Sequence, residues 1–407
     1  MADFYQNGII TTLHNLESRG IEDLESELST FSERRPMGLI LPSLFSELQG
    51  EALPDIIEQI SNVPYLSQII IGLDRADKAQ YQHALSFFDK LPQHHRVLWN
   101  DGPRLKALDK ELQGLGLAPK EMGKGRNVWY CMGYVLASNK VESVALHDCD
   151  ILTYDRTLLA RLIYPVANPQ FNYEFCKGFY ARVADGKING RVSRLLVTPL
   201  LRALKHTFGH NEYLEFMDSF RYPLAGEFSF RRDVLNDIRI PSDWGLEIGV
   251  LSEMHRNYSH NRLCQADIAH NYDHKHQDLS LNDDQGGLSK MSIDITKALF
   301  RKLATQGTVF NNETFRTIKA TYFRIALDFI ETYHNDAVVN GLKLDIDSEE
   351  RAVELFARNI MKAGSSFLEN PMETPFIPSW NRVVSAKPDV LACLKHAVEE
   401  DYKEFKG

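Results

Sequence analysis

Cysteine is scarce in this chain and long hydrophobic runs are absent, and both facts narrow the class of protein. The five cysteines are scattered and never form a C-x-x-C motif, so their spacing predicts neither a disulfide framework nor a zinc knuckle. No stretch approaches the about 18 consecutive apolar residues of a membrane span. The first residues lack the basic segment and apolar core of a secretory signal. These absences predict a cytoplasmic protein that does not bind membranes.

Basic residues are also fewer than acidic ones. The 46 Lys and Arg residues stand against 55 Asp and Glu residues, and the net charge is −9 at pH 7. A general affinity for nucleic acid is therefore not expected. An acidic protein that binds an anionic substrate must do so locally, through a metal ion or a few basic side chains. The length of 407 residues allows one large α/β domain with appendages, or two to three ordinary domains.

The first part of the chain alternates apolar strands with amphipathic helices. Strands are predicted at 37–42, 66–73 and 96–100, and helices at 53–60, 76–90 and 123–138. This alternation is typical of a parallel sheet covered by helices. Polar residues follow each strand, among them Ser43, Glu47 and Asp74, and they suit a nucleotide lying across the edge of the sheet. Residues 8–34 have helix-like spacing and predict one or two preceding helices.

The order of elements changes in the second part. Residues 171–183 resemble a long antiparallel strand, so the sheet is expected to be mixed. A further strand is predicted at 262–271. Beyond about residue 290 the pattern is helical, with helices predicted at 292–305, 313–334, 348–363 and 387–404. This helical C-terminal extension carries no obvious chemistry.

The stretch 144–150 carries the strongest chemical signal. Three apolar residues lead into Asp148 and Asp150, which lie where a buried strand leaves the sheet. Mg²⁺ is usually held by one or two carboxylates together with substrate phosphate oxygens. An acidic turn after a strand is the equally simple alternative. A dehalogenase-type phosphatase is disfavoured, because Leu152 occupies its Thr or Val position and three βα units precede the motif.

Three further groups could bind anions or a metal. Lys124 lies between two glycines at a predicted helix start, although Ala118 replaces the first glycine of a Walker A loop. His274 follows a predicted strand, and a neutral imidazole can join carboxylates around a cation. Arg191 and Ser193 begin a predicted helix and would suit a phosphorylated or carboxylated acceptor. Each has an ordinary structural alternative, such as a basic turn or a surface ion pair.

Eight short motifs taken together are more specific than any one of them. They occur in the order Leu39-Ile-Leu-Pro42, Gly123-Lys-Gly125, Asp148-Cys-Asp150, Lys177-Gly-Phe-Tyr180, Gly190-Arg-Val-Ser193, Pro223-Leu-Ala-Gly-Glu227, Gly245-Leu-Glu-Ile-Gly249 and Asp273-His274. This series resembles the glucosyl-3-phosphoglycerate synthases, retaining glycosyltransferases with the GT-A (Rossmann-like) fold. The resemblance covers roughly residues 37–280. It implies an α/β domain with a mixed sheet and covering helices, here with N-terminal helices and the helical extension added.

The resemblance also implies an activity and a set of site residues. Glucose would pass from a nucleoside diphosphate glucose to the 2-hydroxyl of 3-phosphoglycerate, giving the precursor of the compatible solute glucosylglycerate, with Mg²⁺, Mn²⁺ or Co²⁺ as cofactor. The implied metal ligands are Asp150 and His274, and the implied catalytic residues are Asp150, Lys124 and Glu247. The donor would contact Pro42, Ser43, Glu47, Asp74, Lys124 and Asp148. The acceptor would contact Gly190, Arg191, Ser193 and His276.

Some features stay open at this point. Residues 72–75 differ from the Asp-Asp-Gly-Ser of the short family members, so UDP, GDP and ADP all remain possible donor nucleotides. His276 stands where those members have Asn. No carboxylate is clearly placed as a nucleophile, so same-face attack is favoured, with Glu247 as the fallback nucleophile. Transfer of another sugar such as mannose, transfer to glycerate, and a non-catalytic binding protein are the alternative functions.

The pattern also predicts a division of the chain. An N-terminal segment at 1–35 precedes a glycosyltransferase domain at 36–285, and a helical extension follows at 286–407. Within the domain, 36–150 would bind the nucleotide sugar and 151–285 the acceptor. A homodimer formed through helical surfaces is expected.

Overall fold

The computed structural model describes residue 6 and residues 8–119, 122–274, 287–372 and 376–406. One eight-stranded sheet organises the chain. Its strands are β1 Thr11–Leu13, β2 Met37–Leu44, β3 Leu66–Asp74, β4 His95–Trp99, β5 Ser143–Leu146, β6 Phe175–Tyr180, β9 Phe228–Arg231 and β10 Leu263–Ala269. A separate hairpin consists of β7 Val183–Ala184 and β8 Lys187–Ile188.

Fifteen α-helices surround the sheet within the described residues. Those before β9 are α1 Ile21–Ser32, α2 Ala52–Ser61, α3 Lys78–Phe88, α4 Pro103–Gly114, α5 Lys124–Ser138, α6 Arg156–Ala167, α7 Thr198–Phe208 and α8 Glu212–Asp218. Those after it are α9 Val234–Asp237, α10 Leu246–Asn257, α11 Gly287–Thr305, α12 Asn312–Val339, α13 Ile346–Glu369, α14 Trp380–Ala386 and α15 Val390–Phe405. Short 3₁₀ turns lie at Phe45–Gln49 and His260–Arg262, and a π-helix at Val192–Val197 leads into α7. None of the described helices is long and apolar enough to cross a bilayer.

The sheet is mixed, as predicted, but its antiparallel strand is not the predicted one. The strand order is β1-β10-β6-β9-β5-β2-β3-β4, and β9 alone runs against its neighbours β5 and β6. The segment 171–183 contains the six-residue β6, which is parallel to β10. Strand direction depends on the connection between strands, and an apolar run contains no information about it.

Both faces of the central strands are covered, which explains their continuous apolar sequences. In β2, Leu39 and Leu41 pack on the face that holds α1, α2, α3 and α6. Ile40 packs on the opposite face, against a larger core that includes α5, α7 and α10–α13. The strands are therefore buried on both sides, and their polar ends are the positions where a ligand can approach.

The predictions are partly wrong at the N-terminal end of the chain and confirmed at the C-terminal end. The helix prediction for 8–34 is correct for α1 and wrong at Thr11–Leu13, which forms the edge strand beside β10. Three residues are too few to show the two-residue period of a strand. Thr12 is instead held by a residue far away in the sequence, since Nε2 of Gln265 donates a hydrogen bond of 2.9 Å to its hydroxyl. At the other end, α11, α12, α13 and α15 confirm the four predicted helices. The division into domains stays a prediction.

The helical extension closes over the sheet rather than projecting from it. Trp380 of α14 is buried and stacks on Trp129 of α5, with ring centroids 4.2 Å apart. Its Nε1 donates a hydrogen bond of 3.1 Å to the carbonyl of Trp129. Helix α15 lies against α4, α5 and β4, where Arg96 and Glu399 form an ion pair at 2.9 Å. The extension thus supplies part of the core next to the N-terminal strands.

Candidate active site

The polar residues at the strand ends meet at one edge of the sheet. Parallel strands β2, β3, β5, β6 and β10 all end there, and the antiparallel β9 begins there. The last residue of β2 that pairs with β5 is Ile40, opposite Leu146, and Pro42 lies two residues further on. The missing N–H of Pro42 therefore removes no hydrogen bond to β5. This edge is where open α/β sheets bind their ligands.

Asp150 and His274 lie together at this edge, as the sequence predicts for two metal ligands. Oδ2 of Asp150 is 3.5 Å from Nδ1 of His274, and the two side chains are 28% and 26% exposed. An antiparallel bridge joins Ile151 to His274, and the Leu152 amide donates to the Asp273 carbonyl at 2.8 Å. Burial raises the pKa of Asp150, but the hydrogen bond and charge of His274 outweigh burial and lower the net pKa.

The donor atoms of this pair fit a divalent cation that is shared with a substrate. One carboxylate oxygen donor and one imidazole nitrogen are suitable ligands for Mg²⁺ or Mn²⁺. Across the part of the chain that the structure describes, no group of three or more His, Cys, Asp and Glu residues could hold a metal ion. A cation held by Asp150 and His274 would therefore need further ligands from phosphate oxygens or water.

Lys124 contacts two carboxylates that come from different elements. Its Nζ is 2.6 Å from Oδ1 of Asp148 and 3.4 Å from Oε1 of Glu247, in the first turn of α10. Burial lowers the pKa of Lys124, but the charges of Asp148 and Glu247 outweigh that effect and raise it, so the ammonium stays charged. A Cβ on Gly226 would lie 2.4 Å from Oδ2 of Asp148, so the close approach of this backbone requires glycine. Asp148 therefore pairs with the lysine, whereas Asp150 pairs with the histidine.

Glu227, the residue before β9, is a fully buried carboxylate behind these groups. It accepts hydrogen bonds from the hydroxyl of Tyr180 at 2.7 Å and from the hydroxyl of Tyr272 at 2.6 Å. The two tyrosine rings stack with centroids 3.7 Å apart. Burial raises the pKa of Glu227, with the charge of Asp148 adding to the effect. The sequence motifs include Glu227, but no role was predicted for it.

Lys177 of β6 is buried next to the same group. Its Nζ donates a hydrogen bond of 2.5 Å to the Ala225 carbonyl and lies 5.0 Å from the centroid of the Phe228 ring. Burial lowers the pKa of Lys177 to about 8, although Glu247 and Glu227 act in the opposite direction. The Lys177 ammonium therefore holds the loop that carries Gly226 and Glu227.

The residues predicted for the donor lie at the ends of β2 and β3. Ser43 is buried, and its hydroxyl donates to the Leu44 carbonyl at 3.0 Å. Asp74, which pairs in register with Leu44, accepts a hydrogen bond of 2.8 Å from Nδ2 of Asn100. Burial raises the pKa of Asp74. Glu47 lies in the 3₁₀ turn that follows β2.

The predicted acceptor residues form a second cluster at the start of the π-helix. Gly190 has a φ of +79°, a conformation that favours glycine, and Arg191 and Ser193 follow it. The hydroxyl of Ser193 and the Nε and Nη2 atoms of Arg182 are buried, and none of them has a hydrogen-bond partner among the described residues. Buried donors without partners are rare in proteins, so these atoms are suited to donate to a ligand. His276 lies outside the described residues.

A row of tyrosines connects the acceptor cluster to the proposed metal ligands. A Cβ on Gly190 would lie 3.3 Å from the hydroxyl of Tyr222 and 3.6 Å from Cδ of Arg182. The Tyr222 ring lies 5.1 Å from that of Tyr180. Tyr180 stacks on Tyr272, whose ring centroid is 5.7 Å from that of His274. The two clusters therefore belong to one continuous site.

Sequence relatives cover almost the entire chain. A protein of Persephonella marina is 45% identical over 401 residues, which is 98% of this chain and 99% of the relative. A protein of Methanococcoides burtonii is 38% identical over 409 residues, 99% of each. Both are named glucosyl-3-phosphoglycerate synthase. The chain belongs to the glucosyl-3-phosphoglycerate synthase family. No protein-family model matches it.

Solved structures of a synthase from Mycobacterium tuberculosis have the same fold. One is a complex with phosphoglyceric acid, with a TM-score of 0.53 and 19% identity over 73% of this chain and 88% of that one. Another holds Mn²⁺, uridine-diphosphate-glucose and phosphoglyceric acid, also with a TM-score of 0.53, at 20% identity over 72% and 88%. Together with the relatives, this confirms the predicted fold and family. The matches to these two relatives cover 98% and 99% of this chain and so include most of its C-terminal extension, which lies beyond the predicted resemblance at 37–280.

The sequence predictions did not include several residues that shape the site of this synthase family member. Tyr272 immediately precedes the predicted Asp273-His274 motif, and Arg182 lies within a predicted strand, so their positions gave a weak signal. Glu349 of α13 gave none, because it forms an ion pair with Arg191 at 2.6 Å across 158 residues of sequence. Through Glu349, the extension therefore reaches the cluster of predicted acceptor residues.

Proposed function

We propose that this chain transfers glucose from a nucleoside diphosphate glucose to the 2-hydroxyl of 3-phosphoglycerate, with retention at the anomeric carbon. Near full-length similarity to two synthases supports the reaction. The structural observation that carries the proposal is the continuous site at the sheet edge. The Asp150–His274 pair lies at one end of it, and at the other lie the Ser193 hydroxyl and two Arg182 nitrogens, which have no hydrogen-bond partner among the described residues.

Asp150 and His274 are proposed as the protein ligands of a divalent ion, Mg²⁺, Mn²⁺ or Co²⁺. When bound, such a cation would offset negative charge on the departing diphosphate. The ammonium of Lys124 lies beside Asp148, which we assign to the donor side. Because Lys124 stays charged, it can stabilise the same negative charge without giving up a proton. Pro42, Ser43, Glu47 and Asp74 are proposed to border the nucleoside.

The acceptor is proposed to bind at Gly190, Arg191 and Ser193, with Arg182 added to this set. The buried Ser193 hydroxyl and the Arg182 guanidinium would donate to anionic oxygens of 3-phosphoglycerate, as arginine favours phosphate and carboxylate groups. His276 stays a predicted acceptor contact. Charged groups of the acceptor would thereby be fixed at one end, and its 2-hydroxyl would be directed along the tyrosine row towards the donor.

In the proposed reaction, the bond between the anomeric carbon and the diphosphate oxygen breaks. A bond to the acceptor 2-oxygen forms on the same face of the sugar. The departing phosphate oxygen takes the hydroxyl proton, so the products are a nucleoside diphosphate and glucosyl-3-phosphoglycerate. Glu247 is held by Lys124 at 3.4 Å, and we propose that it orients a sugar hydroxyl. Its direct attack on the sugar, a double displacement, is the alternative route.

The test is a matrix of donors and acceptors. UDP-, GDP- and ADP-glucose and GDP-mannose are each combined with 3-phosphoglycerate or glycerate, with Mg²⁺ or with a chelator. We expect turnover with an NDP-glucose and 3-phosphoglycerate only when the metal is present. Asp150→Ala and His274→Ala should abolish it without lowering the melting temperature. Full activity in either variant would contradict the ligand assignment, and transfer only to glycerate would contradict the acceptor.

Three finer properties are part of the same proposal. A homodimer through helical surfaces predicts twice the chain mass in light scattering. A cytoplasmic location predicts recovery in the cytosolic fraction of the source cells. The division at residues 35 and 285 predicts limited proteolysis near those positions, with the C-terminal fragment staying bound through the packing of α14 and α15.

A further inference from the structure

Glu349 lies in the first turn of α13, within the helical extension, and its side chain is only 2% exposed. A buried carboxylate is costly unless charged groups or hydrogen bonds compensate it. Two guanidinium groups do so here. Oε1 of Glu349 accepts a hydrogen bond of 2.6 Å from Nε of Arg191, and Oε2 lies 2.9 Å from Nη1 of Arg194.

The two arginines differ in their freedom to meet a ligand. Arg194 is 8% exposed, donates from Nε to the Asn189 carbonyl at 2.8 Å and lies 4.8 Å from the centroid of the Tyr333 ring. Arg191 is 31% exposed. Its Nε and Nη2 atoms are taken by Glu349 and by the Ser348 hydroxyl, the latter at 2.9 Å. Arg191 is thus held by hydrogen bonds along one edge of its guanidinium, while its side chain remains partly exposed.

The backbone around Glu349 is fixed to the β7–β8 hairpin, and the neighbouring helix α12 is fixed to the π-helix. The Lys343 amide donates to the Gly186 carbonyl of the β7–β8 hairpin at 2.8 Å. Asp345 caps α13 by accepting from the Ser348 amide at 3.1 Å. Tyr322 of α12 donates from its hydroxyl to the Leu195 carbonyl of the π-helix at 2.6 Å. Glu349 therefore approaches Arg191 from a rigid support.

We propose that Glu349 is a positioning residue for the acceptor, which it serves by orienting Arg191. This inference rests on the proposed function. Arginine is always charged in proteins, so Glu349 cannot act by changing the protonation of Arg191. It fixes the direction of the guanidinium and balances one of two neighbouring positive charges. The triad of Glu349, Arg191 and Arg194 keeps a net charge of +1, which is available to an anionic acceptor.

The experiment measures steady-state kinetics of the full-length enzyme with 3-phosphoglycerate. We expect Glu349→Ala to raise KM for this acceptor about 10-fold, the scale on which loss of an orienting partner weakens a site. The donor KM and the kcat at saturating acceptor should change less than about 3-fold. Glu349→Gln retains an oxygen that can accept from Arg191, so it should raise KM less. Glu350→Gln is the matched control, because Glu350 is adjacent and exposed.

A double variant separates positioning from a general structural role. If Glu349 acts through Arg191, Arg191→Ala/Glu349→Ala should have the same acceptor KM as Arg191→Ala alone. Additive effects, or an unchanged KM in Glu349→Ala and Glu349→Gln, would overturn the inference. A lower KM would also overturn it, since it would mean that the carboxylate competes with the acceptor. Absence of turnover by the unchanged enzyme with 3-phosphoglycerate would instead refute the proposed function.

Discussion

The hydrogen bond between Tyr272 and Glu227 offers a direct test of how the buried centre of the site is stabilised. Tyr272→Phe removes only the hydroxyl and keeps the ring that stacks on Tyr180 at 3.7 Å. Oε1 of Glu227 would then lose its 2.6 Å donor while remaining buried. The bond from Tyr180 to Oε2 would be unaffected.

The expected cost follows from the charge of the acceptor. A hydrogen bond to a charged group contributes about 1.5–3 kcal/mol, and we take about 2 kcal/mol for this one. For a chain of this size we assume a urea m-value of about 4 kcal/mol/M, above the range of small domains. The unfolding midpoint should therefore fall by about 0.5 M.

The assay is urea unfolding followed by tryptophan fluorescence, and Tyr65→Phe is the matched control. Tyr65 is also buried, but its hydroxyl has no hydrogen-bond partner within the described ranges. Removing that hydroxyl should leave the midpoint unchanged or raise it. Equal destabilisation in the two variants would refute the view that the tyrosine–carboxylate bonds, rather than tyrosine burial as such, stabilise this centre.

Two further predictions concern pH and packing. Burial lowers the pKa of His147 to about 3. Below pH about 6.5 this histidine therefore takes up a proton in the unfolded chain but not in the folded chain, and the free energy of unfolding decreases as the pH is lowered. His147→Phe should reduce this loss between pH 7 and 4 by on the order of 3 kcal/mol, measured as urea midpoints at both pH values; identical losses would contradict it. A Cβ on Gly133 would lie 2.1 Å from the Trp380 ring, so Gly133→Ala should destabilise by about 2 kcal/mol. In Gly114→Ala the new Cβ meets nothing within 4 Å, so this control should leave the urea unfolding midpoint unchanged or raise it, whereas Gly133→Ala should lower it.

The sequence allowed good predictions where local pattern and burial agree. The apolar run in β3 and the helices that flank it have the period and length of a covered parallel sheet, and the structure contains them. Local pattern failed for β1, which has only three residues and is defined by its pairing with β10. Local pattern also contains no information about the antiparallel direction of β9 between β5 and β6.

The residues of the site also divide into those that the local sequence pattern predicts and those that depend on long-range packing. The proximity of Asp150 and His274 could be predicted because each lies a few residues after a strand, β5 or β10, and strand ends converge on one edge. The unequal roles proposed for Asp148 and Asp150 are supported by their separate partners, Lys124 and His274. Glu349 could not be predicted from spacing, because its partner lies 158 residues away and their contact depends on helix packing.

The position of α15 has a consequence for the order in which the chain is built. Glu399 and Asp401 of this helix pair with Arg96 and Arg104, which lie about 300 residues earlier in the chain. Phe405 packs edge-on against Trp99 at 5.8 Å, and Trp99 ends β4. Synthesis proceeds from the N-terminus, and domains tend to fold as they emerge. The core beside β4 is therefore completed only after α15, about 300 residues further along the chain, has been synthesised.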